Sequence, residues 1–222
     1  MLESLPGALT PGTTGLFTDK TRDRILMTSL VLFNERGFGS VTTAAIAHEA
    51  GVLEGSLWYH FNTKKDLVAA HIETLQRLFL SENQHAHLND APTIVQGIFR
   101  SYDVIWDFRY ILRDDFQAHL PPNDPVLERI KVINDVLDRW TEGRILHSQR
   151  NQLLNIRPDE IEQVSEITLV IGRYWLDFSR KKYPTSNDAA LRKKGLEHVF
   201  KVLQPYLSSE ATHLIHTHLD AS

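Results

Sequence analysis

"TTAAIAHEAGVLEGSLWYHFNTKKD", residues 42–66, is the stretch whose reading decides the fold. Thr42 reads as the N-cap of a short helix, and Gly51 ends that helix where a positive φ is needed. A link of a few residues leads to "GSLWYHF", a second short helix that sets Trp58, Tyr59, His60 and Phe61 side by side. Successive residues of a helix point about 100° apart, so four consecutive rings cannot all face one core. With Leu57 and Phe61 inward at i and i+4, Ser56, Trp58, Tyr59 and His60 turn outward. "TKKD" then forms a capping box, Thr63 at the N-cap and Asp66 three residues on, opening a helix from Lys64 to near Asn83.

Two short helices that cross closely need a small residue at the crossing, a turn residue tolerant of positive φ and an apolar anchor. Ala47, Gly51 and Leu57 meet those needs, with Ile46 and Val52 completing the seam. The pattern predicts a helix-turn-helix. Its second helix would enter a DNA major groove, with Ser56 and Trp58 placed for base edges and Tyr59 and His60 for phosphates. The helix N-termini at Thr42–Thr43 and Thr63–Lys64 offer backbone amides to the same phosphates.

Working outward, residues 1–17 hold three Gly and two Pro and are expected to form a flexible arm. Thr18 or Asp19 caps a helix running to Arg36, with Gly37 at its C′ position and Phe38 folding back. Beyond residue 66 only helical patterns appear. One lies between Thr93 and Phe116, whole or broken near residues 107–110. Another starts at Pro125 after the Asp124 cap, one at "RPDE" and one at "TSND". The fold class is all-α: residues 18–66 as a three-helix DNA-binding domain, and residues 67–222 as a larger helical domain.

Charge is uninformative in total and only slightly informative in distribution. The chain has 24 Lys/Arg against 28 Asp/Glu, a net −4, but residues 18–65 hold six Lys/Arg and five Asp/Glu, a net +1. An architectural DNA binder would be far more basic. The absence of Cys excludes disulfides and thiolate chemistry. The N-terminus does not read as a signal peptide, and no apolar run approaches the ~20 residues of a membrane span. A cytoplasmic location without membrane association is the expectation.

The stretch "TRDRILMTSLVLFNERGFGSVTTAAIAHEAGVLEGSLWYHFNTKKDL" resembles the N-terminal domain of the TetR/AcrR family of bacterial repressors. The likeness covers roughly residues 20–68 and centres on Leu57-Trp58-Tyr59-His60-Phe61 and Lys64. It implies that Thr43, Tyr59, His60 and Lys64 contact phosphates. It places Glu54, Gly55, Ser56 and Trp58 nearest the bases, with Ala44 at the start of the supporting helix and Thr42 as its cap. Trp58 replaces the family's usual Tyr, and Leu53 stands where a Ser cap is common. The remaining chain matches only in outline, as a divergent domain for effector binding and dimerisation.

Within that domain Phe99, Tyr102, Trp106, Trp140 and Trp175 are candidates to line a site for an apolar or amphipathic small molecule. Each taken singly is more often plain core. Arg109 or Arg113 would hold an anionic end. A two-fold dimer is expected through helices near residues 159–181 and 187–206. Their apolar positions are Ile161, Val164, Ile167, Thr168, Ile171 and Trp175 in the first, and Leu191, Leu196, Val199, Phe200 and Leu203 in the second. His213, His216 and His218 have partial metal-ligand spacing but fall in a stretch that reads as a frayed terminus, so no metal or other cofactor is expected. No catalytic residues are assigned. The leading reading is a ligand-responsive dimeric repressor of a palindromic operator. The alternative is a small all-α carrier or enzyme with an incidental helix-turn-helix.

Overall fold

The computed structural model describes residues 9–84 and 90–220, and the side chains of residues 9–79 and 90–220. The helices are α1 (Pro11–Thr14), α2 (Thr21–Arg36), α3 (Thr43–Glu49), α4 (Glu54–His60), α5 (Lys64–Gln84) and α6 (Ala91–Asp107). They continue as α7 (Arg109–Leu112), α8 (Asp114–Gln117), α9 (Pro125–Arg150), α10 (Ile161–Lys182), α11 (Asp188–Leu203) and α12 (Ser209–Asp220). Among the described residues no strand occurs, only an isolated bridge between Leu154 and Leu207. The fold is all-α, as expected. The chain divides into two compact units, one ending at Leu78 and taking in Val104–Lys131, the other holding Phe79–Asp103 and everything from Val132. The expected boundary at residue 66 therefore falls inside the first unit.

The first unit is built on α2, whose Ile25, Leu30, Leu32 and Phe33 are completely buried. Lys20 is its N-cap, and Asp23 reaches back to the Thr18 amide and hydroxyl. Gly37 takes φ +79°, and Phe38 folds edge-on against Phe33 with ring centroids 5.2 Å apart. The break in the segment after Thr93 falls at Phe108, between α6 and α7.

Polar groups tie α2 to the elements around it. His71 on α5 is buried, with Nε2 3.0 Å from the Leu26 carbonyl and Nδ1 2.8 Å from the Tyr110 hydroxyl. A carbonyl only accepts, so Nε2 carries the proton and Tyr110 donates to Nδ1. Burial pushes the His71 pKa down to about 4, which keeps the ring neutral. Asn34 spans the same seam: its amide donates to the Asp107 carbonyl at 2.6 Å, and its side-chain oxygen accepts from the Tyr110 amide at 3.1 Å.

Two expectations fail in this unit. Residues 1–17 were assigned to a flexible arm; residues 1–8 lie outside the described residues, but Leu9, Thr10 and Thr13 are buried. Thr10 donates its amide (3.1 Å) and hydroxyl (2.6 Å) to the Asp107 carboxylate. Turn-rich composition made this segment irregular, but a buried acceptor fixed it. Arg109 and Arg113, expected to hold an anionic ligand, are buried and donate to the Trp106 carbonyl (2.8 Å) and the Asn34 carbonyl (3.0 Å).

The second unit packs Ile94, Phe99, Tyr102, Leu196, Phe200 and Ile215 into one core with their neighbours. Within it α10 packs along α11, where Trp175 donates its indole N–H to the Leu191 carbonyl at 2.9 Å. Gly195 makes this possible, because a Cβ there would collide with the Tyr102 hydroxyl and the Trp175 ring. The terminal segment was read as frayed, but α12 buries Ala211, Ile215 and Leu219 in the core, while His213 and His216 face solvent. Among the described residues no group of three or more His, Asp or Glu is placed to hold a metal ion, and no helix is long and apolar enough to cross a membrane.

Most of the apolar positions named from sequence for a dimer face are covered within their own unit, while Ile167 of that set is exposed. Ile161, Val164, Trp175, Leu191, Leu196, Val199, Phe200 and Leu203 are buried in their own unit's core. The exposed apolar stripe of α10 is Ile167, Val170, Tyr174 and Phe178. Apolar character on two sides of a helix does not say which side the chain itself covers.

His71 binds a proton more readily in the unfolded chain than in the folded one. Its contribution is therefore fully present above about pH 6.5 and is lost as pH falls towards about pH 4, amounting to about 3 kcal/mol. Asp107, whose pKa is raised by burial, titrates in the opposite sense and offsets part of this. Chemical denaturation of wild type and His71→Gln at neutral pH and at about pH 4.5 should show the wild type losing more stability. Separately, Gly195→Ala should lower stability by about 1–3 kcal/mol through overpacking.

Candidate nucleic-acid interface

The helix-turn-helix is α3 and α4, joined through Gly51 at φ +64°. Thr42 caps α3 by accepting the Ala45 amide at 3.1 Å. Ile46 and Ala47 are buried where the helices cross, and the Val52 amide closes the turn on the Ala47 carbonyl at 2.9 Å. Arg24 on α2 donates to the Ala50 and Gly51 carbonyls, so the turn is braced from outside the motif. The sequence reading did not single out Arg24. Its signal was faint: one of three cations in the opening turns of α2, at a spacing that only the tertiary fold interprets.

On α4, Leu57 is fully buried and Phe61, at its C-cap, is 4% exposed, as the i, i+4 pattern requires. Trp58 is 41% exposed and Tyr59 85%, so two large rings do stand at the surface. Tyr59 meets His60 edge-on at 5.1 Å, which holds the two rings as a pair. Leu53, the N-cap residue, makes no side-chain cap and is 80% exposed. It passed as a missing cap, but it adds an exposed apolar group at the head of the helix.

The other candidate residues divide into open and engaged. Ala44 and Gly55 are exposed, Ser56 and His60 half-buried. Thr43 donates its hydroxyl to the Glu54 carboxylate at 3.0 Å, joining the first turns of α3 and α4. Thr63 and Asp66 form the reciprocal box at the start of α5, with contacts of 2.9 and 3.2 Å.

Lys64 is the most altered by the structure. Its ammonium donates to the Phe38 carbonyl at 2.6 Å and the Val41 carbonyl at 2.8 Å, and lies 4.0 Å from the centre of the Phe38 ring. Burial lowers its pKa. Among neighbouring cations, Arg22 lies over the Phe61 ring at 5.2 Å, and Arg36 pairs with Glu49 at 3.4 Å. Much of the local positive charge thus braces the scaffold, and neutral donors dominate the open face.

The sequence model described as "Bacterial regulatory proteins, tetR family" matches residues 25–71, covering this whole motif. That described as "Bacterial transcriptional repressor" continues the match over residues 71–215. The chain belongs to the TetR family. Its relatives include the HTH-type transcriptional regulator TtgR of Pseudomonas putida, 39% identical over 124 residues, which is 55% of this chain and 51% of that protein. The matched stretches of SrpR and TtgW, also of Pseudomonas putida, span 37% and 58% of those proteins. A solved TetR-family regulator from Marinobacter aquaeolei shares the fold with a TM-score of 0.65 at 23% identity, covering 91% of this chain and 98% of that one. The complex of SmeT with triclosan aligns with a TM-score of 0.56 at 18% identity, over 85% and 92% of the two chains. The family is one of regulatory proteins, not of enzymes.

For this TetR-family chain the five candidate effector residues fall in several surroundings. Phe99 lies against Phe200 and His218, at 5.3 and 5.1 Å. Tyr102 and Trp175 come together at Gly195. Trp140 meets Phe79 at 5.8 Å, and Trp106, in the first unit, carries the Arg109 guanidinium 4.7 Å above its ring.

If Lys64 is a brace, Lys64→Met should destabilise the protein by about 1–2 kcal/mol, because two carbonyls lose their donor. Tyr59→Phe, at an open position, should leave the denaturation midpoint unchanged. The two midpoints, measured in parallel, distinguish a scaffold residue from a contact residue.

Proposed function

We propose that the protein is a ligand-responsive, dimeric repressor that binds a palindromic operator in the cytoplasm. The observation that carries this is the exposed Trp58–Tyr59–His60 row, raised on a short helix by a buried Leu57–Phe61 anchor. Neither a carrier nor an enzyme has use for such a row beside a braced turn. Ser56, Trp58 and Glu54 read base edges, supported by Gly55 and Ala44, and Leu53 offers apolar contact to a thymine methyl. Tyr59, His60 and the first turn of α3 at Thr42–Thr43 hold phosphates, with Lys64 setting their position from behind. Two copies joined through the exposed α10 stripe would present two reading helices to half-sites a helical turn or more apart.

The effector is a small apolar or amphipathic molecule held in the second unit, where the candidates Phe99, Tyr102, Trp140 and Trp175 lie; Trp106 stays with the first. A structural neighbour is a complex with triclosan, which supports a small-molecule effector. Release of DNA requires differential affinity, so effector and operator must weaken each other by the same factor, with couplings of ~1–3 kcal/mol usual.

Selection from random duplexes, followed by footprinting, tests the reading. The expected product is a two-fold symmetric site, and recovery of no preferred sequence would overturn it. A Tyr59→Phe variant should bind every duplex more weakly while keeping the salt slope, because a neutral donor releases no counterion. Trp58→Ala should change which bases are selected. Val170→Glu should yield monomers by light scattering and lose operator affinity, whereas Val199→Glu should unfold the second unit.

A further inference from the structure

Glu54 is the first residue of α4 and stands exposed on the face proposed to meet DNA. Charge alone makes a carboxylate unwelcome there, because phosphates repel it. Among the described residues no Lys or Arg pairs with it. Its partner is the Thr43 hydroxyl of α3, which donates to Oε1 at 3.0 Å. The carboxylate is therefore anchored from the neighbouring helix, with Oε2 left to accept a further bond. Gly55, next along α4, is not accounted for by the fold. Among the described residues the glycines at positive φ are Gly37 and Gly51, and a Cβ at Gly55 would meet nothing within 4 Å. Glycine weakens a helix relative to alanine, so a close approach from outside the chain is the remaining reason for it.

We infer that Glu54 selects cytosine at one position of each half-site, and that Thr43 is the residue that positions it. An ionised carboxylate only accepts hydrogen bonds. Base edges in the major groove present two kinds of donor, the amino groups of cytosine and adenine. Adenine sets its N7 acceptor beside the amino group, where it repels a carboxylate; cytosine has no such neighbour. Thr43 keeps Oε1, and Oε2 accepts from the cytosine amino group. Gly55 lets the α4 backbone come near enough for so short a reach. In the free protein water competes with the Thr43 bond. Under DNA that competition ends, and the bond fixes the direction in which the carboxylate meets the base. A hydroxyl has one proton, so the phosphate contact of Thr43 falls to its backbone amide. The inference rests on the proposed operator reading and deepens it, because it names the base.

Selection from random duplexes by the full-length wild type and by Glu54→Gln tests the base. The wild type should return a cytosine at one position per half-site. Glu54→Gln should change that position to adenine, whose N6 and N7 a glutamine amide meets together. N4-methylcytosine at the same position keeps its pairing hydrogen and covers the one facing the groove. It should lower wild-type affinity about ten-fold and make no difference to Glu54→Ala. Thr43→Val removes the hydroxyl at nearly constant volume and should cut the preference for cytosine about ten-fold, with the denaturation midpoint unchanged; Thr43→Ser should restore the preference. Gly55→Ala should hold or raise the midpoint yet lower operator affinity about ten-fold. A symmetric site with the same bases for wild type and Glu54→Gln would overturn the inference and leave the operator reading intact. So would Glu54→Gln binding every duplex more tightly by one factor, the mark of a carboxylate that only repels phosphates. Full cytosine preference in Thr43→Val would overturn its positioning role. Selection of no preferred sequence by the wild type counts against the operator reading itself, and the inference falls with it.

Discussion

The neutral imidazole of His71 is the contact on which the first unit turns. It bridges the Leu26 carbonyl on α2 and the Tyr110 hydroxyl on α7 from a fully buried position on α5. Apolar contacts hold helices together without fixing their register, because dispersion and burial are nearly indifferent to small slides. Hydrogen bonds to a ring with two distinct nitrogens are directional, and breaking either inside a protein leaves an expensive unpaired group. α5, which follows α4, is therefore fixed in both rotation and height. Asn34 repeats the device one seam away, using both ends of its amide and its own backbone carbonyl.

That rigidity explains how so short a motif can display its rings. A seven-residue helix such as α4 has little stability of its own in water. Its position comes from Leu57 and Phe61 below, from Arg24 on the turn and from the Thr63–Asp66 box behind it. Exposed large apolar groups are otherwise a liability. Among the described residues most of them collect in two places, at Leu53, Trp58 and Tyr59 and along Ile167, Val170, Tyr174 and Phe178, with Leu16 and Val132 apart from both. Each gathers on one short piece of helix, the pattern of a surface built to be covered.

The electrostatics suit the proposed reading of base edges better than a diffuse attraction to a polyanion. A net charge of −4 provides no broad attraction to a polyanion, and several cations beside the reading helix are occupied by rings, carbonyls or a carboxylate. In the proposed function affinity comes from neutral donors and base edges, and so depends on close geometry. Lys64 illustrates the choice: its charge steadies the loop between α2 and α3.

Much of this was legible along the chain. Gly37 and Gly51 take positive φ where helix ends demanded it; Thr42, Thr63, Asp66 and Asn187 cap as their spacing implied; Leu57 and Phe61 turn inward at i and i+4. These are local rules, set within four or five residues, so the sequence by itself determined the helices and the outward row. It did not determine which apolar face of α10 the chain would cover, that Thr10 would seek Asp107, that Lys64 would point at carbonyls, or that α12 would join the core. Each depends on a partner far away in sequence, 97 residues for Thr10 and Asp107. A side chain's own chemistry says which bonds it can form; only packing decides which partner arrives, and tertiary structure alone assigned these roles.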